Sequence, residues 1–373
     1  MTLLQPMMVA LLLVGGLGVA LLGSIKVPLA RRLALDEARV GGLVSAFGLM
    51  LIPSFLAAGF LTDLVGRQVV LTGGSVLLAL SLLLLAQARA YAVAFAAVAL
   101  FSAGWALLIN VGNVLVPLAF PGDKVYATNL ANVFFGIGAF LTPLAVAALV
   151  ERTTLPAALR VLGVLTLVPA VLAPGVDFAD PPSAADPGVL VLLRDPILWL
   201  CGFALFFYGP LEASLAAWTT TYLGGQGLRD ASAAAWLSAF WLAYMAARLL
   251  AAFTLPAGAE AQVVLGLALA AAAVLAGMVL ARGRTPAVVL VIAAGLIFGP
   301  IFPTIIAILL GHFAESLHGR AVGLFFAIGG VGWSAIPMVI GAYARRAGVR
   351  RGLTVAVGTA LGLSAVALIL TLR

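Results

Sequence analysis

The chain has 373 residues, of which 64% are hydrophobic and 9% are charged. Soluble domains carry about 25% charged residues, so this composition and a mean hydropathy of +1.22 exclude a soluble globular protein. The apolar runs are continuous over ~20 residues instead of alternating as in a barrel, so we predict an all-α membrane protein in a lipid bilayer. The net charge of +7 comes from scattered arginines without a basic stripe, so we expect no nucleic-acid partner.

Twelve of these runs are long enough to span a membrane as helices. In the first half they are predicted at 7–29, 40–60, 69–88, 91–118, 128–150 and 156–174. In the second half they are predicted at 196–223, 232–254, 261–281, 286–310, 320–342 and 352–372. The segment between the halves is rich in Pro and Asp, which predicts an irregular linker. We therefore expect a six-helix half at 1–174, a linker at 175–195 and a second six-helix half at 196–373.

The two halves resemble copies of each other, because three short segments recur at offsets of 191 to 194 residues in corresponding spans. The matched segments are Ser45–Phe47 with Ser238–Phe240, Gln68–Val70 with Gln262–Val264, and Phe134–Gly138 with Phe325–Gly329. One such match arises easily by chance in an apolar chain, but three at nearly one offset do not. The pattern predicts two six-helix pseudo-repeats.

A short polar loop joins the second and third spans. Its marked residues are Gly59, Asp63, Gly66 and Arg67. We expect Asp63 and Arg67 to lie close enough to pair or to cap helix ends. The spacing G-x-L-x-D-x-x-G-R resembles the loop between helices 2 and 3 of the major facilitator superfamily. The resemblance implies the major facilitator fold, with this loop as a cytoplasmic conformational latch and a substrate site between two rocking halves.

The orientation in the membrane rests on conflicting signals. A cytoplasmic loop between the second and third spans places both termini and the linker in the cytoplasm of a multi-pass cell (inner) membrane protein. The arginine distribution contests this orientation, because more bases then fall on the outer side, against the positive-inside rule. We favour cytoplasmic termini, because the motif and the repeat agree.

Glu212 is the one acid of the sequence predicted to lie in the middle of a span. An ionised carboxylate at that depth costs at least ~2.5–3.5 kcal/mol on insertion scales, so such a residue faces a cavity, is paired, or is protonated. Gly209 and Pro210 precede it and favour a bent helix lining a cavity. We predict that Glu212 binds substrate or the coupling proton, and the alternative is a protonated carboxyl bonded to a neighbouring helix.

Further polar and aromatic residues inside the spans are candidates for the same site. Asn110 and Asn113 are one turn apart on one helix face, where amides serve either inter-helix bonds or sugar hydroxyls. The aromatic candidates, whose faces and polar tips suit stacking on sugar rings, are Tyr208, Trp241 and Tyr244. Each of them alone also fits ordinary packing.

Lys26 is the base predicted inside the first span, near its outer end. A lysine there can extend to the interface without any functional role. The alternative is a gate or an anion contact at the mouth of a cavity.

Several stretches resemble the fucose–galactose–glucose:proton symporter branch of the superfamily. They are Phe302-Pro303-Thr304 in the tenth span, Tyr208-Gly209 with Glu212 in the seventh, Asn129 with Phe134–Gly138 in the fifth, and Trp241 with Arg248 in the eighth. The resemblance implies uptake of a monosaccharide driven by a proton gradient. The chain departs from the branch in its first span, which lacks the expected acids or amides, and in its fourth span, which lacks the expected acid, so Glu212 is the main candidate for proton coupling.

We predict a secondary active transporter of a small polar solute, a monosaccharide, with or without proton coupling, that works as a monomer. The alternative is an exporter of hydrophobic or amphipathic compounds or organic anions. No nucleophile–base constellation or metal motif occurs in the sequence, so we expect no enzyme, no catalytic residue, no cofactor and no metal site.

Overall fold

The computed structural model describes residues 3–178 and 189–373, apart from the side chains of Glu37 and Ala347. Within these ranges the regular structure is helical. The helices of the first half are α1 Leu4–Leu33, α2 Glu37–Leu64, α3 Arg67–Gln87, α4 Tyr91–Ala119, α5 Lys124–Arg152, α6 Leu155–Leu165 and α7 Val168–Leu172. Those of the second half are α8 Val189–Arg194, α9 Pro196–Gly225, α10 Asp230–Thr254, α11 Glu260–Leu280, α12 Arg284–Phe298, α13 Ile301–His312, α14 His318–Ala347 and α15 Val349–Thr371.

Twelve segments of the described chain are long and apolar enough to cross a membrane, which confirms the predicted number of spans. Two spans are each built from two helices. The sixth, Leu155–Gly175, joins α6 to α7, and the tenth, Arg284–His312, joins α12 to α13. In the tenth span the break falls at Gly299 and Pro300, because Pro300 has no N–H to continue the helical ladder.

The described chain divides into two compact units. The first unit contains residues 1–121, 131–187 and 313–327, and the second contains 122–130, 188–312 and 328–373. The beginnings of α5 and α14 thus belong to a different unit from the rest of these helices. The boundaries 1–174, 175–195 and 196–373 stay predictions, and residues 179–188 of the expected linker lie outside the described part of the chain.

Equivalent helices pack together in the two units. In the first unit, α3 packs against α4 and α6, and α2 packs against α4. In the second unit, α11 packs against α12 and α15, and α10 packs against α12. These helices are the second, third, fourth and sixth spans of each half, so the packing repeats as the sequence offsets predict. The fold is the predicted all-α arrangement of two six-helix pseudo-repeats.

Candidate functional site

Glu212 lies inside α9 of the second unit, two residues after Pro210. Its side chain is half-buried, and its Oε2 accepts a hydrogen bond of 2.8 Å from the Tyr244 hydroxyl on α10. The predicted carboxylate is therefore bonded to a neighbouring helix through a hydroxyl that can both donate and accept hydrogen bonds.

The hydroxyl of Tyr244 continues this contact to two further groups. It lies 2.9 Å from the Tyr208 hydroxyl, and Tyr208 donates a bond of 2.9 Å to the carbonyl of Phe298. Tyr208 is 1% exposed and Tyr244 is 3% exposed, so both hydroxyls are removed from solvent. Four oxygen atoms from α9, α10 and the end of α12 thus form a chain.

Arg248 on α10 completes the cluster. Its Nε donates a bond of 2.8 Å to the Gly299 carbonyl, and one terminal nitrogen donates to the Tyr244 hydroxyl. Its guanidinium carbon lies 4.3 Å from the centre of the Tyr244 ring, within the range of a cation–π contact. Arg248 is 4% exposed, so these contacts hold a buried charge.

The sequence explains why the Gly299 carbonyl accepts this bond. In a helix that carbonyl would receive the N–H four residues later, but this residue is Pro303, which has none. Arg248 supplies the missing donor. Two signals could have revealed this role: Arg248 follows Tyr244 by one helical turn, and Pro303 follows Gly299 by the same spacing.

Trp241 lies beside the chain of oxygens. Its ring centre is 5.3 Å from that of Tyr244, the two rings meet edge to face, and the indole is half-buried. The structure therefore brings together four of the predicted substrate-binding or proton-coupling residues, all in the second unit. They are Tyr208, Glu212, Trp241 and Tyr244.

Asn110 and Asn113 lie on α4, in the first unit. Asn110 is fully buried; its Oδ1 accepts a bond of 2.8 Å from Thr62, and its Nδ2 donates one of 3.0 Å to the Gly319 carbonyl. Asn113 is half-buried and its Nδ2 donates to the Ile109 carbonyl of its own helix at 2.8 Å. Asn110 therefore lies next to Asp63, because both residues are hydrogen-bonded to the backbone of Gly319.

Asp63 forms a cluster with the beginning of α14, within the first unit. Its two carboxylate oxygens accept bonds of 2.9 Å from the backbone N–H groups of Gly319 and Arg320, and a third from Arg320 Nε at 2.9 Å. The carboxylate thus caps the N-terminus of another helix and pairs with its arginine. The alternative expectation, a pair between Asp63 and Arg67, was wrong.

Glycines on either side of Asp63 allow it to contact the beginning of α14. A Cβ on Gly59, one turn earlier on the same face of α2, would lie 2.7 Å from the Gly319 carbonyl, so only glycine permits this approach of α14. Gly66 has a φ of 90°, which turns the chain before α3 begins. Arg67, 3% exposed, instead donates to the Phe178 carbonyl at 3.2 Å and lies 4.0 Å from Glu315.

Two further polar residues complete the set of candidates. Lys26 on α1 is exposed. Asn129 on α5 is fully buried, and its Oδ1 has no hydrogen-bond partner among the described residues. Such an orphaned acceptor is costly unless a ligand or water supplies a donor, so Asn129 joins the candidate residues.

The family model of the Major Facilitator Superfamily matches residues 8–337. The chain belongs to the Major Facilitator Superfamily. This superfamily member is also 29% identical over 179 residues to "Bypass of stop codon protein 6" of Saccharomyces cerevisiae, a match that spans 45% of the chain and 36% of the yeast protein.

Solved structures of the superfamily share the fold. The fucose:proton symporter FucP of E. coli has a TM-score of 0.81 and 17% identity, covering 98% of this chain and 97% of FucP. The human organic anion transporter MFSD10 (TETRAN) has a TM-score of 0.77 and 16% identity, covering 98% of this chain and 99% of the human chain. At these identities the likeness shows the fold alone, which is that of multi-pass membrane transporters.

Proposed function

We propose that this superfamily member is a proton-coupled transporter of a small polar solute, a monosaccharide, that works as a monomer in the inner membrane. The four stretches that resemble the fucose–galactose–glucose:proton symporter branch, and the fold shared with the fucose:proton symporter FucP, support this proposal. The two six-helix repeats suit alternating access around a site near the membrane midplane. Both termini are cytoplasmic in this proposal.

The observation that carries the proposal is the surroundings of Glu212. A carboxyl group in the middle of a membrane helix is costly when ionised, so its presence indicates a function. Its Oε2 is bonded to the Tyr244 hydroxyl at 2.8 Å, and this hydroxyl can either donate a hydrogen bond to the carboxylate or accept one from the protonated carboxyl. Glu212 can therefore be ionised or protonated without losing its partner, as a coupling residue requires.

Sugar recognition is assigned to the groups around this carboxyl. Trp241 offers a half-buried aromatic face beside Tyr244, and aromatic faces stack on sugar rings. Asn113 has a half-buried amide for hydroxyl groups, whereas both ends of the Asn110 amide are engaged with Thr62 and Gly319. In the proposal Trp241 contacts substrate in the second unit, the Asn113 amide of the first unit is a candidate for the same role, and Asn110 is structural.

The conformational latch is assigned to the loop after α2. The bonds from Asp63 to the beginning of α14 break and re-form during transport, and Gly59 and Gly66 supply the close approach and the turn that these bonds need. Arg67 holds the loop through the Phe178 carbonyl. The cluster thus sets the free-energy difference between the transport states.

The second candidate is an exporter of amphipathic compounds or organic anions. The fold shared with the human organic anion transporter favours it, and the exposed Lys26 offers a positive charge to such a substrate. An exporter of this kind has no need of Asn113.

The deciding experiment measures uptake of a panel of labelled monosaccharides into proteoliposomes, with and without an inward proton gradient. Uptake of one sugar that the gradient stimulates is the expected result. Sugar flux indifferent to the gradient would make the protein a facilitator and remove the coupling role from Glu212. Absence of sugar flux, together with flux of an organic anion that Lys26→Gln reduces, would establish the second candidate.

A further inference from the structure

The chain of oxygens that begins at Glu212 holds too few protons when the carboxyl is ionised. It contains three contacts: Glu212 to Tyr244 at 2.8 Å, Tyr244 to Tyr208 at 2.9 Å, and Tyr208 to the Phe298 carbonyl at 2.9 Å. Each tyrosine has one O–H proton, and a carboxylate and a carbonyl have none. Two protons cannot fill three contacts, so one pair of buried oxygens faces each other without a hydrogen.

One proton added to Glu212 fills the chain completely. The protonated carboxyl donates to Tyr244, Tyr244 donates to Tyr208, and Tyr208 donates to the Phe298 carbonyl. The Tyr244 oxygen then donates one bond and accepts two, from Glu212 and from Arg248, which is the full capacity of a hydroxyl. Protonation therefore reverses the direction in which the Tyr244 hydroxyl points.

We propose that Glu212, Tyr244, Tyr208 and the Phe298 carbonyl form a proton-sensing chain, in which protonation of Glu212 reverses the Tyr244 hydroxyl and closes a continuous hydrogen-bonded path from α9 through α10 to the end of α12. Arg248 is the positioning residue that holds Tyr244 in line. The inference deepens the proposed function, and its importance for transport rests on that function.

The far end of the chain lies at a break in a membrane span. Phe298 is the last residue of α12, and Gly299, whose carbonyl Arg248 holds, precedes Pro300. The interruption of helical bonding at Pro300 and Pro303 makes this the point where the tenth span bends most easily. Closing the chain at Phe298 therefore ties the protonation state of the seventh span to the geometry of the tenth.

The groups bonded to Glu212 determine how its protonation depends on pH, because the other charges on the surrounding helices lie near the helix ends. Tyr208, Tyr244 and Arg248 are the titratable or charged side chains that the structure joins to Glu212 in one network. The elements packed against α9 carry their remaining charges in or near their terminal turns. These residues are Arg194 on α8, Asp230 on α10, Arg284 on α12, His312 on α13, Arg345 and Arg346 in the last turn of α14, and Arg350 and Arg351 on α15.

The test is an infrared pH titration of the purified protein in lipid, which follows the carboxyl band that Glu212→Gln removes. Tyr208→Phe deletes the bond that only the protonated chain completes, so the pH at which the band is half-maximal should fall by about 0.5–1 unit. Tyr222→Phe is the matched control, because Tyr222 is a buried tyrosine of the same helix that donates to the Met278 carbonyl at 2.9 Å. It should leave the midpoint unchanged.

The double variant tests the path itself. In the Tyr244→Phe background, Tyr208→Phe should cause no further shift, because the chain is already interrupted. Arg248→Gln should abolish the shift caused by Tyr208→Phe, whereas Arg248→Lys, which keeps a charged donor, should retain part of it. These readouts separate positioning from a general effect on stability.

Three results would overturn the proton-sensing chain. They are the absence of a titrating Glu212 band, equal shifts from Tyr208→Phe and Tyr222→Phe, and a shift from Tyr208→Phe that persists without the Tyr244 hydroxyl. The titration needs no transport substrate. If Glu212 titrates as described but the Glu212→Gln variant still accumulates sugar, the coupling role proposed for Glu212 is rejected and the proton-sensing chain is not.

Discussion

Asp63 and Glu212 are acids of membrane helices with contrasting surroundings. The Asp63 side chain is 6% exposed and accepts three hydrogen bonds, from two backbone N–H groups and the Arg320 guanidinium. Glu212 is half-buried, and its Oε2 is bonded to the hydroxyl of Tyr244. Both are single acids in apolar sequence, yet their partners differ in kind.

The difference teaches that the type of donor separates a structural carboxylate from one suited to proton coupling. Backbone N–H groups and a guanidinium only donate, so a proton added to Asp63 would meet donors and would break bonds. A hydroxyl accepts as well as donates, so Glu212 keeps its partner in either state. Asp63 is therefore suited to hold helices together, and Glu212 to bind and release a proton.

The sharpest test of this contrast is Glu212→Gln. Glutamine keeps a donor for Tyr244 but cannot release a proton, so we expect accumulation of sugar against its gradient to be abolished while exchange and downhill flux remain. Accumulation and counterflow in proteoliposomes measure the two properties separately. Glu151→Gln, which changes an exposed acid at the end of α5, is the control. Full accumulation by the Glu212 variant would contradict the assignment.

At Asp63 we expect a substitution to lower the thermal stability of the protein. Asp63→Asn removes the carboxylate that pairs with Arg320, which is 6% exposed, and removing one partner of a buried pair costs about 3–5 kcal/mol. Thermal unfolding in detergent should show a lower midpoint, and the double variant Asp63→Asn/Arg320→Gln should recover part of the loss. A single variant that unfolds like the wild type would show that the pair contributes nothing to stability.

The two amides of α4 should likewise differ in role, with Asn110 contributing to stability and Asn113 to sugar binding. Asn110→Ala removes the bonds to Thr62 and Gly319 from a fully buried site, so we expect it to destabilise the protein by about 1–3 kcal/mol. Asn113→Ala removes a bond to its own helix and should cost about 0.5 kcal/mol or less, but should raise the KM for sugar. Unfolding midpoints and uptake kinetics measure both. A lower stability of the Asn113 variant than of the Asn110 variant would reverse the assignment.

The smallest effect is expected at Lys26, which lies outside both clusters. It is exposed, so Lys26→Gln should change stability by less than about 0.5 kcal/mol and leave sugar uptake unchanged. Uptake of sugar and of an organic anion by the same vesicles checks this. Loss of anion flux alone would favour the second candidate function.

The fold was predictable from the sequence because hydrophobic length and repeat offsets are local properties. Twelve apolar runs and three repeated segments were enough to predict the two six-helix repeats. The predicted span limits differ from the structure by a few residues, as at α1, which extends to Leu33 instead of residue 29, since helices continue past the apolar core of a bilayer.

The partners of polar residues were harder to predict, because they depend on which helices meet. Nothing adjacent in sequence connects Asp63 with Arg320, so the loop motif indicated Arg67 as its partner. The bond from Arg248 to the Gly299 carbonyl was hard to predict from the eighth span alone, because the missing donor results from Pro303 on another span. The grouping of Tyr208, Glu212, Trp241 and Tyr244 was recoverable, because these residues lie in two successive spans.

The most direct test of proton coupling through Glu212 records sugar-induced acidification inside proteoliposomes loaded with a pH-sensitive dye. We expect the transported sugar to acidify the lumen of wild-type vesicles, and the Glu212→Gln variant to carry the sugar downhill without acidification. Equal acidification by the variant, or sugar flux without acidification in the wild type, would contradict the account.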